Sequence, residues 1–315
     1  MKIGVIQQTA PGERRVSVTP DAAKRLVKAG HEVVVEAGAG TAAGHDDAAF
    51  AEVGCSIGPD PFGVDLVTTI ELPRPDRLSP GSALLGLLAP FERPNQMFEL
   101  AERNVTAFAF EAIPRTTRAQ MVDALSSQAT VSGYEAVILA AGALDRFFPM
   151  LTTAAGTVRP ASVLVLGAGV AGLQAMATAR RLGAVVYGFD VRAAAEEQVR
   201  SLGARFVNVD GHLQDASDSG GYAKELEAEA QVRLMAGLAP HVASADVVIA
   251  AAAVPGRPAP RLISKEMVES MRPGAVIVDV SAITGGNCEL TVPGQVIEHH
   301  RVKVIGSVDL PSRVA

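Results

Sequence analysis

The segment Val163-Leu164-Val165-Leu166-Gly167-Ala168-Gly169-Val170-Ala171-Gly172 sets three glycines between an apolar run and a helix-forming stretch, 170–182. The run reads as a buried strand, so the glycines fall on a strand-to-helix turn. That arrangement suits a pyrophosphate. Gly167 permits the tight turn, Gly169 lets the backbone approach the phosphates, and Gly172 lets the helix lie close on the strand. The first N–H groups of the helix, from Val170 onward, are donors without intrahelical partners and face the anion. Asp190 ends the next apolar run, 18 residues after Gly172. A carboxylate there accepts hydrogen bonds from an adenosine ribose and repels a 2′-phosphate, which favours NAD(H) over NADP(H). Arg192 either flanks the adenosine or is a solvated residue of the next helical turn. The plain alternative is a glycine-rich turn with a capping Asp. Strand, turn, helix and acid in one order favour the dinucleotide.

A second constellation lies in Pro114-Arg115-Thr116-Thr117-Arg118-Ala119-Gln120-Met121-Val122-Asp123-Ala124-Leu125-Ser126. Gln120, Asp123 and Ser126 are three apart, so a helical or turn-like backbone brings them near one face. Arg115 can pair with Asp123 from the preceding loop. Spacing alone reads as a solvated loop with an ordinary ion pair. Arg14-Arg15, just after the first strand, either holds a carboxylate at the strand's C-terminal end or stabilises the loop. The six histidines offer no ligand spacing, and His299-His300 reads as an exposed turn. Cys55 and Cys288 are too few for a disulfide framework or a zinc site. Cys288 reads as a small buried residue, and a reducing cytoplasm is expected.

These residues need two scaffolds. At 315 residues the chain is long enough for two domains. With 48% hydrophobic and 20% charged residues it can bury a core in each. A formal net charge of −6 argues against a nucleic-acid surface. The longest apolar runs, near 247–254 and 137–144, are far below the ~18–20 residues of a membrane span. The first residues run straight into a strand pattern and carry no secretion signal.

In the first half, strands are expected at 2–6, 32–36, 66–70, 83–88 and 105–108, with helices at 20–29, 46–53 and 93–103. Thr19-Pro20 reads as N-cap and first helical residue, and Gly30 as the stop. The stretch 72–81 is a loop, and 115–120 is a polar loop leading into a helix over 121–144. Its 131–144 part is apolar nearly all round and should be buried between the domains. In the second half, strands are expected at 162–166, 185–189, 205–207, 247–251, 275–279 and 302–305. The Asp-, Ser- and Gly-rich stretch 208–222 is a long loop of the functional kind. Such alternation predicts two doubly wound, parallel-sheet (Rossmann-like) α/β domains with a cleft between them. The expected limits are 1–128 and 129–304, with 305–315 returning toward the first.

The pieces resemble the alanine dehydrogenase and transhydrogenase superfamily. Glu13-Arg14-Arg15-Val16 with Thr19-Pro20, Gly30-His31-Glu32-Val33 and Glu36-Ala37-Gly38-Ala39-Gly40 look like its N-terminal signature. Thr153-Ala154-Ala155-Gly156-Thr157, the glycine turn, Pro255-Gly256-Arg257-Pro258-Ala259-Pro260, Met271-Arg272-Pro273-Gly274 and Gly285-Gly286-Asn287-Cys288 look like its nucleotide domain. The alanine dehydrogenase branch needs a Lys and a His where this chain has Glu71 and Ala89. The loop with Arg115, Gln120 and Asp123 resembles that of the NAD(H)-binding component of proton-translocating transhydrogenases, and Gly220-Gly221-Tyr222-Ala223-Lys224 resembles that family's mobile loop.

The resemblance implies direct hydride transfer between NAD(H) here and NADP(H) on a partner domain, with a membrane-spanning proton-channel subunit coupling it to proton movement. It implies a homodimer, peripheral on the cytoplasmic side of the inner membrane through its partners. It implies that Gln120 bridges toward the reacting rings, that Arg115 and Asp123 orient the dihydronicotinamide and its ribose or phosphates, and that Ser126 holds the carboxamide. Gly221, Tyr222 and Ala253 join the glycine turn, Asp190 and Arg192 around the nucleotide. No metal is implied. An alanine dehydrogenase-like amino-acid dehydrogenase and a catalytically silent NAD-binding module are the alternatives.

Overall fold

The computed structural model describes residues 1–114, 116–209, 228–254 and 256–315. The chain divides into two compact units, one of Met1–Ser127 with Pro311–Ala315, the other of Gln128–Leu310.

The first unit runs β1 (Lys2–Val5), α1 (Pro20–Lys28), β2 (Glu32–Glu36), α2 (Asp47–Glu52), β3 (Ser56–Gly58), β4 (Leu66–Thr68), β5 (Ala83–Gly86), α3 (Pro94–Glu102) and β6 (Thr106–Ala109). All six strands are parallel, in the order β3-β2-β1-β4-β5-β6. The order reverses direction between β1 and β4, the mark of a doubly wound sheet. Thr19 caps α1 through a hydrogen bond from Ala22 N, Pro20 opens it, and Gly30 follows it at φ +87°. Separate apolar clusters gather around Val5, Val33, Val35 and Phe50 and around Val67, Leu84, Leu88 and Leu100. The short edge strand β3 has too little apolar sequence to announce itself. Within the expected loop at 72–81, Pro75–Arg77 makes one 3₁₀ turn.

The second unit holds β9 (Ser162–Leu166), α5 (Val170–Arg181), β10 (Val185–Phe189), α6 (Ala194–Ser201), β11 (Arg205–Phe206), α7 (Ala228–Ser244), β12 (Val247–Ala250), α8 (Lys265–Glu269), β13 (Val276–Asp279), β14 (Val296–His299) and β15 (Val302–Gly306). Before them come α4 (Ala124–Ala143), which carries the unit boundary, and an antiparallel hairpin of β7 (Leu151–Thr153) and β8 (Gly156–Val158). The main sheet has the order β11-β10-β9-β12-β13-β15-β14, parallel except for β14. Its central strands are apolar on both faces. Val163, Val165, Ile249 and Val278 pack into one core, while Leu164, Leu166, Val248 and Ile277 pack into the other. That double burial is why these strands read as continuous apolar runs.

Three expectations change. The stretch expected as a polar loop is a 3₁₀ helix over Thr117–Val122, and α4 starts only at Ala124, because Asp123 (φ −78°, ψ 79°) interrupts the helical path. Helix α4 is not covered all round: Gly133, Ala136, Val137 and Ala140 are buried, but Tyr134, Ile138 and Gly142, four apart, are exposed. Strand β14 and the β7–β8 hairpin, absent from the expected strands, add antiparallel pairing beside the parallel strands. At the other end, Ile305 and Gly306 still pair with β13, and Ser312 is stitched to the loop after β1, accepting from Arg14 N (2.7 Å) and donating to Gly12 O (2.6 Å).

Candidate functional site

The glycine turn sits where the second sheet reverses its strand order, between β9 and β12. Each glycine has a separate reason. Gly167 stands at φ +96°, and a Cβ there would lie 2.8 Å from both Ala251 O and Ala252 N. A Cβ on Gly172 would overlap the carbonyl of Gly167, so only glycine lets α5 approach β9 this closely. Gly169 is the N-cap of α5 and has no side-chain cap; a Cβ there would meet nothing within 4 Å. An open cradle beneath uncapped N–H groups is what a pyrophosphate requires. Val170, the first residue of the helix, is partly exposed beside it. The residues present therefore fit a dinucleotide.

Asp190, just past β10, reaches back to this turn. Its Oδ2 accepts from Ala168 N (2.7 Å), and its Oδ1 from Arg192 N (2.9 Å) and Arg192 Nε (2.8 Å). Arg192 Nη2 adds bonds to Asp190 Oδ2 (2.9 Å) and Ala168 O (3.2 Å). Arg192 is thus not a solvated helix residue; it forks onto Asp190 and the glycine turn at once. Burial pushes the Asp190 carboxyl up, but hydrogen bonds and charge from Arg192, with the Ala168 N–H, outweigh it and hold the group below its usual range. From the sequence alone Asp190 reads as a bare negative charge. The structure shows it paired with a guanidinium, which weakens its repulsion of a 2′-phosphate.

The loop after β12 reaches the same sheet edge. Ala253 is exposed there, and its neighbour Ala252 is gripped by Asn287, which accepts from Ala252 N (3.1 Å) and donates to Ala252 O (2.8 Å). Asn287 Nδ2 also donates to Pro260 O (2.8 Å), and Ser281 Oγ to Ala252 O (3.0 Å). Asp279, fully buried at the end of β13, accepts from Ser281 N (3.1 Å), Cys288 N (3.0 Å) and Thr291 Oγ1 (2.6 Å). Burial raises its pKa, and these bonds offset it only in part. The Cys288 thiol is buried and pushed up to about 11, chiefly by desolvation, so it is no nucleophile. Sequence reasoning missed Asn287 and Asp279 as supports, because their partners are brought to them by the fold and not by spacing. It also missed Gly133, where a Cβ would overlap Ala171 O and push α4 off the first turn of α5.

In the first unit, Asp123 is the residue before α4 and caps it. Its Oδ1 accepts from Ser126 N (2.9 Å) and its Oδ2 from Ser126 Oγ (2.6 Å). Gln120 is exposed one turn earlier, its carbonyl accepting from Asp123 N (3.3 Å). The structure therefore joins Asp123 to Ser126 directly and Gln120 to them through the backbone. Arg115, Gly221 and Tyr222 lie outside the described residues. Arg15 forks onto Glu13 (Nε–Oε1 2.9 Å, Nη2–Oε2 2.6 Å), a loop-stabilising pair.

Residues 4–132 match the N-terminal domain, and residues 136–315 the C-terminal domain, of the alanine dehydrogenase/PNT family. The chain is 43% identical over 328 aligned residues to an NAD(P) transhydrogenase subunit alpha chain of Rhodospirillum rubrum, covering all of this chain and 85% of the relative. A Bacillus subtilis alanine dehydrogenase is 30% identical, over 92% of this chain and 72% of the enzyme. Among solved structures, a transhydrogenase from Sinorhizobium meliloti superposes with a TM-score of 0.90 at 40% identity, covering all of this chain and 89% of that one. The chain belongs to the alanine dehydrogenase/PNT family.

Proposed function

We infer that this chain is the NAD(H)-binding component of an NAD(P) transhydrogenase, exchanging hydride with NADP(H) held on a partner domain. Identity to the subunit alpha relative across the whole chain, well above that to the alanine dehydrogenase, carries the reading. The positions where alanine dehydrogenases need Lys and His point the same way. Glu71 donates its backbone N–H to Gln8 Oε1 (3.0 Å), and Ala89 donates its own to Glu111 Oε1 (2.9 Å). Ala89 has no ionisable side chain, and Glu71 presents a carboxyl where the other branch has an ammonium, so neither is the Lys or His that imine chemistry needs there.

The bound nucleotide supplies or accepts a hydride at C4 of its nicotinamide. The exchange NADH + NADP⁺ ⇌ NAD⁺ + NADPH moves no proton, so the chain needs no general acid or base. Its work is to bind, orient and exclude water. Gly167, Gly169 and Gly172, with the first N–H groups of α5 from Val170, receive the pyrophosphate. Asp190 accepts from the adenosine ribose, with Arg192 alongside. Ala253, Gly221 and Tyr222 border the nucleotide. Ser126 holds the carboxamide, Asp123 and Arg115 orient the nicotinamide and its ribose or phosphates, and Gln120 bridges toward the partner's ring. The Asp123–Ser126 hydrogen bond supports a shared position for these two groups.

Among the described residues no helix is long and apolar enough to cross a membrane. In this reading, coupling to proton movement falls to a membrane-spanning partner subunit, with this chain peripheral on the cytoplasmic face. A homodimer is supported by apolar surface within the second unit: Tyr134 and Ile138 on α4, and Phe147, Met150, Leu151 and Val158 around the hairpin, are all exposed. The test mixes the purified chain with the NADP-binding partner domain. NADH-dependent reduction of NADP⁺ supports the reading. Turnover of pyruvate and ammonia, or nucleotide binding without hydride exchange, contradicts it.

A further inference from the structure

The sequence shows two adjacent histidines in an apparent surface turn and nothing to accompany them. The fold supplies the missing group. Glu269, the last residue of α8, lies 30 positions upstream of His299, yet their side chains meet, with Nε2 of His299 2.8 Å from Glu269 Oε1. His300 Nε2 stands 4.0 Å from the same oxygen. One donor atom from each of the three residues lies within 4.8 Å of the others.

Neighbours on a strand point to opposite faces, so two consecutive histidines do not ordinarily converge. Here β14 ends at His299, and the turn to β15 is made by His300 (φ +49°) and Arg301 (φ +60°). A hairpin turn with both central residues at positive φ favours Asn-Gly. His-Arg takes it at a local cost, and the result swings the His300 ring to 4.9 Å from that of His299, tilted by 34°. All three side chains keep partial access to solvent, His300 the most at 59%. An ion can therefore enter without unfolding.

We propose that His299, His300 and Glu269 form a binding site for one divalent transition cation of the zinc type. Two imidazoles and a carboxylate are the donor set that zinc, nickel and copper prefer over magnesium or calcium. Tetrahedral zinc with bonds of ~2.0–2.2 Å spaces its ligand atoms by roughly 3.3 Å. His299 and Glu269 separate slightly to reach this, and His300 closes by roughly 0.7 Å on Glu269 and by at most ~1.5 Å on His299, movements within side-chain torsions. Water fills the fourth position. Lys265 Nζ, 3.9 Å from Glu269 Oε1, competes for the carboxylate, but its side chain is half exposed and turns to solvent at little cost.

The place of the site tells what the ion does. The His299–Val302 pair closes the hairpin at the end where β15 begins, level with the start of β13. The glycine turn follows the other end of the parallel strands. The ion thus clips α8 to the antiparallel edge of the sheet, away from the nucleotide. It stabilises the second unit and leaves hydride exchange alone, so its test is independent of the functional reading above.

The full chain is titrated with Zn²⁺ by calorimetry and with Co²⁺ by visible absorption, and its melting is followed at each Zn²⁺ concentration. One ion per chain should bind, reversibly to a chelator, with Mg²⁺ giving no signal at equal concentration. At about a hundredfold excess over Kd the unfolding transition of the second unit should rise by roughly 5–10 °C. His300→Asn keeps a residue tolerant of positive φ and removes the imidazole; Glu269→Gln keeps the shape and removes the charge. Each should weaken binding at least tenfold while melting normally without metal. No binding up to millimolar Zn²⁺, binding unchanged in both variants, or an equal response to Mg²⁺ overturns the proposal.

Discussion

The two sheets share one plan around their first strands and differ in the connection that leaves them. Each is doubly wound about its first strand, β1 in one and β9 in the other, with the order reversing beside it. After β9 the chain turns into its helix through Gly167, Ala168 and Gly169 alone. After β1 it wanders through residues 6–19 before α1 begins. That longer path is filled with its own polar bonds. Gln8 Oε1 accepts from the backbone of Ile70 (3.3 Å) and Glu71 (3.0 Å), and Glu13 takes the fork of Arg15. The short connection leaves helix N–H groups open to an anion; the long one spends its groups on the protein itself. Topology provides a crevice in both cases, and the connection decides whether it holds a phosphate.

Glycine substitutions in the two sheets should have the largest effects. Gly172→Val drives a side chain into the Gly167 carbonyl and should abolish detectable NADH binding, with a stability loss of ~3 kcal/mol or more. Gly4→Ala in β1 meets the carbonyl of Pro61 in the same way. It should destabilise the first unit by ~1–3 kcal/mol while NADH affinity stays within about twofold. Melting curves and fluorescence titration of both variants separate the two sheets.

Next is nucleotide choice. The chain should bind NADH in preference to NADPH. Asp190→Ala should weaken NADH at least tenfold and narrow the gap, because it removes the ribose acceptor and frees Arg192 for a 2′-phosphate. Equal or tighter NADPH binding by the unaltered chain would contradict this.

A smaller effect distinguishes two carboxylates in the second unit. The folded pKa of Asp190 lies below its unfolded value of ~3.9, so the unfolded state holds more protons between the two. Its contribution is complete above ~pH 4 and is lost as pH falls through the folded pKa. Asp279, raised by burial, runs the other way: the folded state holds more protons, and stability falls as pH rises from ~3.9 through its folded pKa. Stability profiles of Asp190→Asn and Asp279→Asn should therefore depart from the parent with opposite slopes in acid.

Legibility in the sequence follows locality. The strands at 32–36, 162–166 and 185–189 are legible to the residue, because the buried interiors of parallel strands are apolar runs. The glycine turn and Asp190 are legible because their logic is contained in one strand–turn–helix unit. Asn287 is not: its partners at Ala252 and Pro260 are set by the sheet, not by spacing. Strand β14 is hidden because its pairing depends on a turn built from His300 and Arg301 rather than glycine. The stretch 115–126 falls between, since its residue types can be read but not the break at Asp123 that turns a loop into a 3₁₀ helix and a capped α4.

In the proposed function that stretch positions a nicotinamide for direct hydride transfer. Gln120→Asn withdraws the side-chain amide by about 1.5 Å without removing it. An interaction made mainly in the reactive arrangement affects turnover and not ground-state binding. The measurement is stopped-flow transfer from NADH to NADP⁺ on the partner domain, with NADH affinity determined separately. The rate should fall by ~10²-fold with affinity nearly unchanged. Transfer by Gln120→Asn at the unaltered rate would contradict this positioning.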